Sequence, residues 1–207
     1  MKEVFEVGLD IIKKIQETQS EKLEQTGHLM AQVFMGGHKF FVSGSGHSHT
    51  MAEEMYARAG GLAFVVPILT SELTMTEHPT KSSNIERLSG YAKILVDLYG
   101  VSCGDVVLIA SNSGRNAYPI ELALEAKNRG AHVVAITSMK HTTAQSSRHS
   151  CGVERICTKL QILSLIIVEK LEIALYLWMA WMPNFVQHQV WLILSLHNVL
   201  MWHVPNI

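Results

Sequence analysis

Long uninterrupted apolar runs, a surplus of either charge and a paired set of cysteines are all missing from this 207-residue chain. With 17 Lys and Arg against 18 Asp and Glu the formal net charge is −1, so no basic surface advertises nucleic acid or an anionic membrane. Three cysteines, Cys103, Cys151 and Cys157, show no metal-like spacing. Their odd number argues against a disulfide framework, and they read as reduced thiols. The opening MKEVFEVGLDIIKK carries acidic residues through its apolar positions and lacks a cleavable signal pattern, so a cytoplasmic location is the expectation. The run from Leu160 to Met182 is rich in Leu, Ile and Met, but Glu169, Lys170 and Glu172 interrupt it. No span of about 18 apolar residues is left to cross a bilayer, and no membrane partner is expected. The length fits one domain, or one domain with a tail, and suffices to bury a core.

What is present centres on two copies of one pattern. Lys39 to Val42 reads as a buried strand that runs into Ser43-Gly44-Ser45-Gly46-His47-Ser48 and hands over to a helix near His49. Glycines there let the backbone approach a ligand, while serine hydroxyls and the amides of the next helical turn point at the same spot. One such turn is weak evidence, because many strand-to-helix turns are rich in Gly and Ser for steric reasons alone. A second follows: Asp105 to Ala110 is another apolar strand, emptying into Ser111-Asn112-Ser113-Gly114-Arg115-Asn116 before a helix opened by Pro119 that runs to about Arg129. Two such units in one small chain can converge on a single phosphate. A third strand, His132 to Ile136, ends in Thr137 and Ser138, which add two hydroxyls as a candidate pocket wall.

The remaining elements follow from periodicity. Phe5, Leu9, Ile12, Ile15, Leu23, Met30 and Phe34 recur at helical spacing, giving two amphipathic helices or one long bent one, stopped at Gly36-Gly37. This helical region caps the core or packs against a second subunit, which amphipathicity alone does not distinguish. Thr50 to Ala59 predicts a helix and Ala63 to Val66 a short strand before Pro67. The polar stretch Thr70 to Asn84 lacks periodicity and reads as a loop of lid-like length. Ile85 to Tyr99 predicts one helix with Leu88, Ala92, Leu95 and Leu98 or Tyr99 on its inner face. Strand and helix alternate throughout, so the fold class is α/β, a parallel sheet with helices on both faces. Ligands of such sheets sit beyond the carboxyl ends of the strands, where both serine loops lie.

Beyond Gly152 the chain changes character: no glycine follows, and all four tryptophans, Trp178, Trp181, Trp191 and Trp202, fall there. Taking the third base of each codon with the first two of the next, the pairs Trp178-Met179, Met179-Ala180, Trp181-Met182 and Met182-Pro183 force Asp, Gly, Asp and Ala. With permitted wobble bases the stretch from Leu160 to Ile173 reads ADIVIDNCGEIGD, ordinary α/β grammar. The expectation is a domain over residues 1–150 and an out-of-frame tail over 151–207, arising from a frame slip near Ser150 to Val153. The nucleotide sequence tests this, because wobble bases that forbid the shifted text would exclude it.

The segments GSGHSHTMAEEMYARAGGL, KSSNIERLSGYAKIL, GDVVLIASNSGRNAYPIELALEAKNRGAHVVAITS and SSRHS resemble the SIS (sugar isomerase) domain nearly end to end over residues 1–150. Within that family the chain is most similar to bacterial proteins labelled phosphosugar or phosphoheptose isomerases. The resemblance implies a flavodoxin-like three-layer sandwich, a sugar-phosphate ligand, no organic cofactor and at least a homodimer. It also implies that Ser45, Gly46, Ser48, Ser111, Asn112, Ser113 and Asn116 hold the phosphate and nearby sugar hydroxyls. The shifted-frame text resembles the family's continuation, whereas the tail as translated does not, leaving the last strand and final helix of the family unmatched.

Aldose–ketose isomerisation needs a base to move a proton between adjacent carbons. Glu53 and Glu54, in the first turns after the first loop, and His47 within it are the candidates, against the alternative that the glutamates are surface carboxylates favoured by the helix dipole. Phosphoheptose isomerases and the SIS-type muramic-acid etherase carry a glutamate on this helix where Arg58 aligns here, a departure from their pattern. Arg115 suits a phosphate or carboxylate clamp, or else is a solvated loop arginine. His47 and His49 are two residues apart with no third ligand at matching spacing, so no metal site is assigned. A non-catalytic sugar-phosphate sensor is the alternative to an isomerase.

Overall fold

A computed structural model describes residues 2–56, 59, 62–138 and 163–166. The N-terminal region is one continuous helix, α1 (Lys2–Met35), of 34 residues, about 50 Å long at 1.5 Å per residue. Ile15, Leu23, Met30 and Val33 form its buried stripe, whereas Leu9, Ile12 and Phe34, expected inside, are exposed. Phe34 instead rests against Phe64, with ring centroids 4.9 Å apart. The stop falls at the glycine pair as expected: His38 N–H donates to Val33 O at 2.9 Å around Gly37 in the left-handed region.

Five parallel strands follow: β1 (Phe40–Gly44), β2 (Val65–Pro67), β3 (Val106–Ala110), β4 (His132–Thr137) and β5 (Leu163–Ile166), in spatial order β2-β1-β3-β4-β5. The two faces of the sheet bury separate cores. Phe40, Val42, Val106, Leu108, Val134 and Ile136 point one way, onto α1 and the short α2 (Thr50–Met55). Phe41, Val107, Ile109, Val133 and Ala135 point the other way, onto α4 (Tyr91–Tyr99) and α5 (Ala117–Asn128). A strand's period of two makes this division, and near-continuous apolar runs are what burial on both faces demands.

Three expectations are corrected. The helix after the first loop begins as a 3-10 turn over Gly46–His49 and α2 ends at Met55, because Tyr56 turns extended. The stretch Thr70 to Asn84 is no open loop: it holds a 3-10 turn at Ser71–Leu73 and the start of α3 (Pro79–Glu86). His78 caps α3, its Nδ1 accepting from Thr80 N–H at 3.2 Å, with Pro79 in the first turn. Buried Ser82 donates to Leu73 O at 2.9 Å and pins the segment down. The helix expected over Ile85 to Tyr99 is two helices, α3 and α4, separated where Gly90 takes φ +87°. Ala92, Leu95 and Val96 are the buried residues of α4, and Leu88 and Leu98 face outward.

β5 comes from the stretch expected to be atypical, and it pairs Leu163 to Ile166 with Val134 to Thr137. Parallel pairing is made by main-chain groups, so β5 joins the edge of β4 through its backbone. The rest of the proposed tail, residues 151–162 and 167–207, lies outside the described residues.

At the amino edge of the sheet, Asp105 ties the strands together. Its Oδ1 accepts from Lys39 N–H at 2.8 Å, and its Oδ2 accepts from Ser102 N–H at 2.8 Å and Ser102 Oγ at 2.9 Å. These bonds set the entry points of β1 and β3 level.

Candidate functional site

The chain leaves β1 and β3 side by side, since Gly44 is in register with Ala110. Adjacent strands lie about 4.8 Å apart, so the Ser/Gly turns that follow start as neighbours. The gap between them is also the topological switch: β2 lies on one side of β1 and β3 on the other. Connections from the two strands leave over opposite faces there and open a crevice at the carboxyl edge, the general ligand position of such sheets.

In the first loop, chemistry is subordinate to a tight fold-back. A Cβ added at Gly44 would stand 2.3 Å from Ser48 O and 3.0 Å from His49 N, so the backbone of the turn rests directly on the strand end. Gly46 takes φ +57°, and Ser48 N–H closes the turn on Ser45 O at 3.1 Å. The second loop repeats the device with Gly114 at φ +56°, whose N–H donates to Ser111 Oγ at 3.2 Å. Each is thus a Ser-Gly step into the left-handed region, the local geometry that turns successive amides toward one concavity. The end of β4 steadies the second loop, with Ser138 N–H at 3.1 Å and Thr137 Oγ1 at 3.3 Å both donating to Asn112 O.

Asn116 is the N-cap residue of α5 but makes no side-chain cap bond. Its Oδ1 and that of Asn112 are buried without a hydrogen-bond partner. A buried acceptor left empty costs about 1–3 kcal/mol, and two of them in one turn call for donors from elsewhere. Sugar hydroxyls are such donors and a phosphate dianion is not.

The catalytic candidates are distributed unevenly. His47 is exposed. Glu53 is exposed too, and its Oε1 lies 3.1 Å from Nδ1 of His49, one helical turn earlier. His49 is itself 4% exposed, and its Nε2 is buried without a partner. A carboxylate on Nδ1 selects the tautomer with Nε2 as the bare acceptor. His49 was weighed above only as a metal ligand, and the signal for this pair is its i, i+4 spacing to Glu53. Glu54 follows on α2, half-buried, and Arg115 sits between Gly114 and Asn116, also half-buried. Arg58 lies outside the described residues. Among the described residues no group of three or more His, Cys, Asp and Glu is placed to hold a metal ion, and no helix is long and apolar enough to cross a membrane.

Comparison with known proteins assigns the class. The SIS domain matches residues 5–138, and the chain belongs to that family. A UPF0309 protein of Halalkalibacterium halodurans is 49% identical over 142 residues, covering 69% of this chain and 59% of that protein. One from Caldanaerobacter subterraneus subsp. tengcongensis is 46% identical over 142 residues, covering 68% and 58% respectively. The chain thus spans just under three fifths of the length of these relatives. Among solved structures, phosphoheptose isomerase GmhA of Neisseria gonorrhoeae superposes with a TM-score of 0.60 at 21% identity, over 90% of this chain and 96% of that one. A phosphoheptose isomerase from Francisella tularensis gives 0.64 at 16% identity, over 91% and 95%. At such identities the likeness is one of fold.

Proposed function

We propose that the chain binds a phosphorylated sugar between its two serine loops and isomerises it between aldose and ketose forms. The observation that carries this reading is the pair of Ser-Gly turns at the β1/β3 switch point, each with a left-handed glycine. Ser45 and Ser48 on one side, with Ser111 and Ser113 on the other, offer hydroxyls to the phosphate, and Gly46 offers its amide, the amides of Ser48 and Ser111 being bonded to Ser45 O and Ile136 O. Asn112 and Asn116 receive hydroxyls of the sugar on their unpartnered carbonyl oxygens. Thr137 and Ser138 wall the site beside the second loop, and Arg115 adds a positive charge beside the phosphate. No organic cofactor is required, because moving a proton between adjacent carbons is acid–base chemistry. Glu53, Glu54 and His47 are the groups proposed to carry that proton, with Glu53 held against His49 Nδ1.

A panel of pentose, hexose and heptose phosphates screened by thermal shift tests binding. Proton NMR in deuterium oxide then tests chemistry, because an isomerase washes solvent deuterium into the carbon next to the carbonyl. Binding without wash-in would remove the isomerase and leave a sensor, a reading favoured by arginine at position 58 where the related enzymes carry a glutamate. Replacing Ser113 by alanine is expected to weaken binding by about 1 kcal/mol, roughly fivefold in Kd, the scale of one neutral hydrogen bond. Unchanged affinity by calorimetry would place the second loop outside the site. We further propose that the chain is a homodimer or higher homo-oligomer in the cytoplasm. Exposed Leu9 and Ile12 on α1 support a self-association surface, and light scattering on Leu9→Asp tests it by loss of the oligomer.

A further inference from the structure

We infer that the phenol of Tyr118 is a positioning residue that fixes the gap between the two serine loops. This role rests on the sugar-phosphate reading of those loops. Tyr118 lies in the first turn of α5, two residues after Asn116, and Ser43 immediately precedes Gly44. Their hydroxyls are 2.6 Å apart although the residues are 75 apart in sequence. Both side chains are buried, Ser43 at 0% and Tyr118 at 1% exposure. The ladder between β1 and β3 ends at Gly44 and Ala110. Beyond it, among the described residues, no backbone hydrogen bond joins residues 45–49 to residues 111–116. The Ser43–Tyr118 bond is therefore a direct tie between the roots of the two turns.

Packing does not require that hydroxyl. A phenylalanine would fill the same volume, and a buried hydroxyl is tolerated only when bonded. Burial pushes the phenol well above its ordinary pKa, so it keeps its proton and the bond persists across the physiological range. The ring carries the tie further. Tyr91 lies at 6.1 Å between centroids, and its hydroxyl donates to Thr70 Oγ1 at 3.2 Å. Thr70 follows β2, so segments beyond three neighbouring strands meet around one side chain. A ligand held by hydroxyls from two separate turns binds only as well as their spacing is kept, and Tyr118 sets that spacing without touching the ligand.

Amide hydrogen exchange on the full chain tests this for Tyr118→Phe, for Ser43→Ala and for the double variant. Protection is expected to fall about threefold or more in residues 45–50 and 111–117 together, with β4 unchanged. The double variant should be no worse than either single one, as partners in one bond require. Titration with inorganic phosphate should show a Kd raised about three- to tenfold in each variant. Loss confined to α5, or an equal loss everywhere, would mean a merely structural hydroxyl and overturn the inference. Phosphate binding unchanged in both single variants with protection intact would overturn it too, while leaving the sugar-phosphate reading standing. If the unaltered protein takes no phosphate and both loops still loosen together, the reading fails and the tie is upheld. Should Tyr118→Phe not fold, Ser43→Ala alone carries the test.

Discussion

Replacing Gly44 by alanine is expected to abolish ligand binding, with affinity for a sugar phosphate falling about 100-fold or more, as site groups displaced by about an ångström typically cost. The cause is steric. The new methyl group would meet Ser48 O at 2.3 Å and the Ser48 carbonyl carbon at 2.5 Å, both of them main-chain atoms with no rotamer to yield. The turn must lift off the end of β1 and carry Ser45, Gly46 and Ser48 with it. Overpacking of this kind also costs about 1–3 kcal/mol of stability, so the protein is expected to fold, with a lowered Tm. Calorimetric titration beside thermal melting checks both parts. Wild-type affinity in Gly44→Ala would show that the first turn contributes nothing to binding.

The second large effect lies at the other edge of the sheet and acts on stability. Asp105→Ala removes the acceptor for two backbone amides and one hydroxyl from a side chain only 2% exposed. Losing three hydrogen bonds to a charged acceptor, at about 1–1.5 kcal/mol each, costs about 3–5 kcal/mol. For a chain of this size that corresponds to a Tm lower by roughly 10 °C. Because the serine loops lie at the opposite ends of the same strands, affinity per folded molecule should change little below the transition. Thermal melting and phosphate titration together separate the two effects. A Tm within a degree or two of wild type would show that the hydrogen bonds of Asp105 do not hold β1 and β3 in register.

Four of the five strands and both serine loops were legible because their signals are local, whereas β5 lies in the stretch expected to be atypical. Val106 to Ala110 is an apolar run that ends at Ser and Gly, and burial on both faces leaves no competing pattern. Helix breaks were less legible. Leu88 and Leu98 continue the apolar spacing across the true break, and they turn out to be exposed while Gly90 interrupts the helix. α3 announces itself by its ends rather than its periodicity, through His78 and Pro79, in a segment too polar to show a buried stripe. Within the site, the loops could be read but the contacts behind them could not. The tie from Ser43 to Tyr118 joins positions remote in sequence and depends on the crossover of the chain. The pairing of His49 with Glu53 has helical spacing, yet which histidine is buried follows only from packing against β1.

The account turns on two separate turns meeting at one oxyanion. Backbone amide shifts of the ¹⁵N-labelled chain, followed during titration with inorganic phosphate, test that most directly. Gly46 and Ser48 should move together with Ser113 and Gly114, along curves that fit a single Kd. Shifts confined to one turn, or to neither, would contradict a shared site.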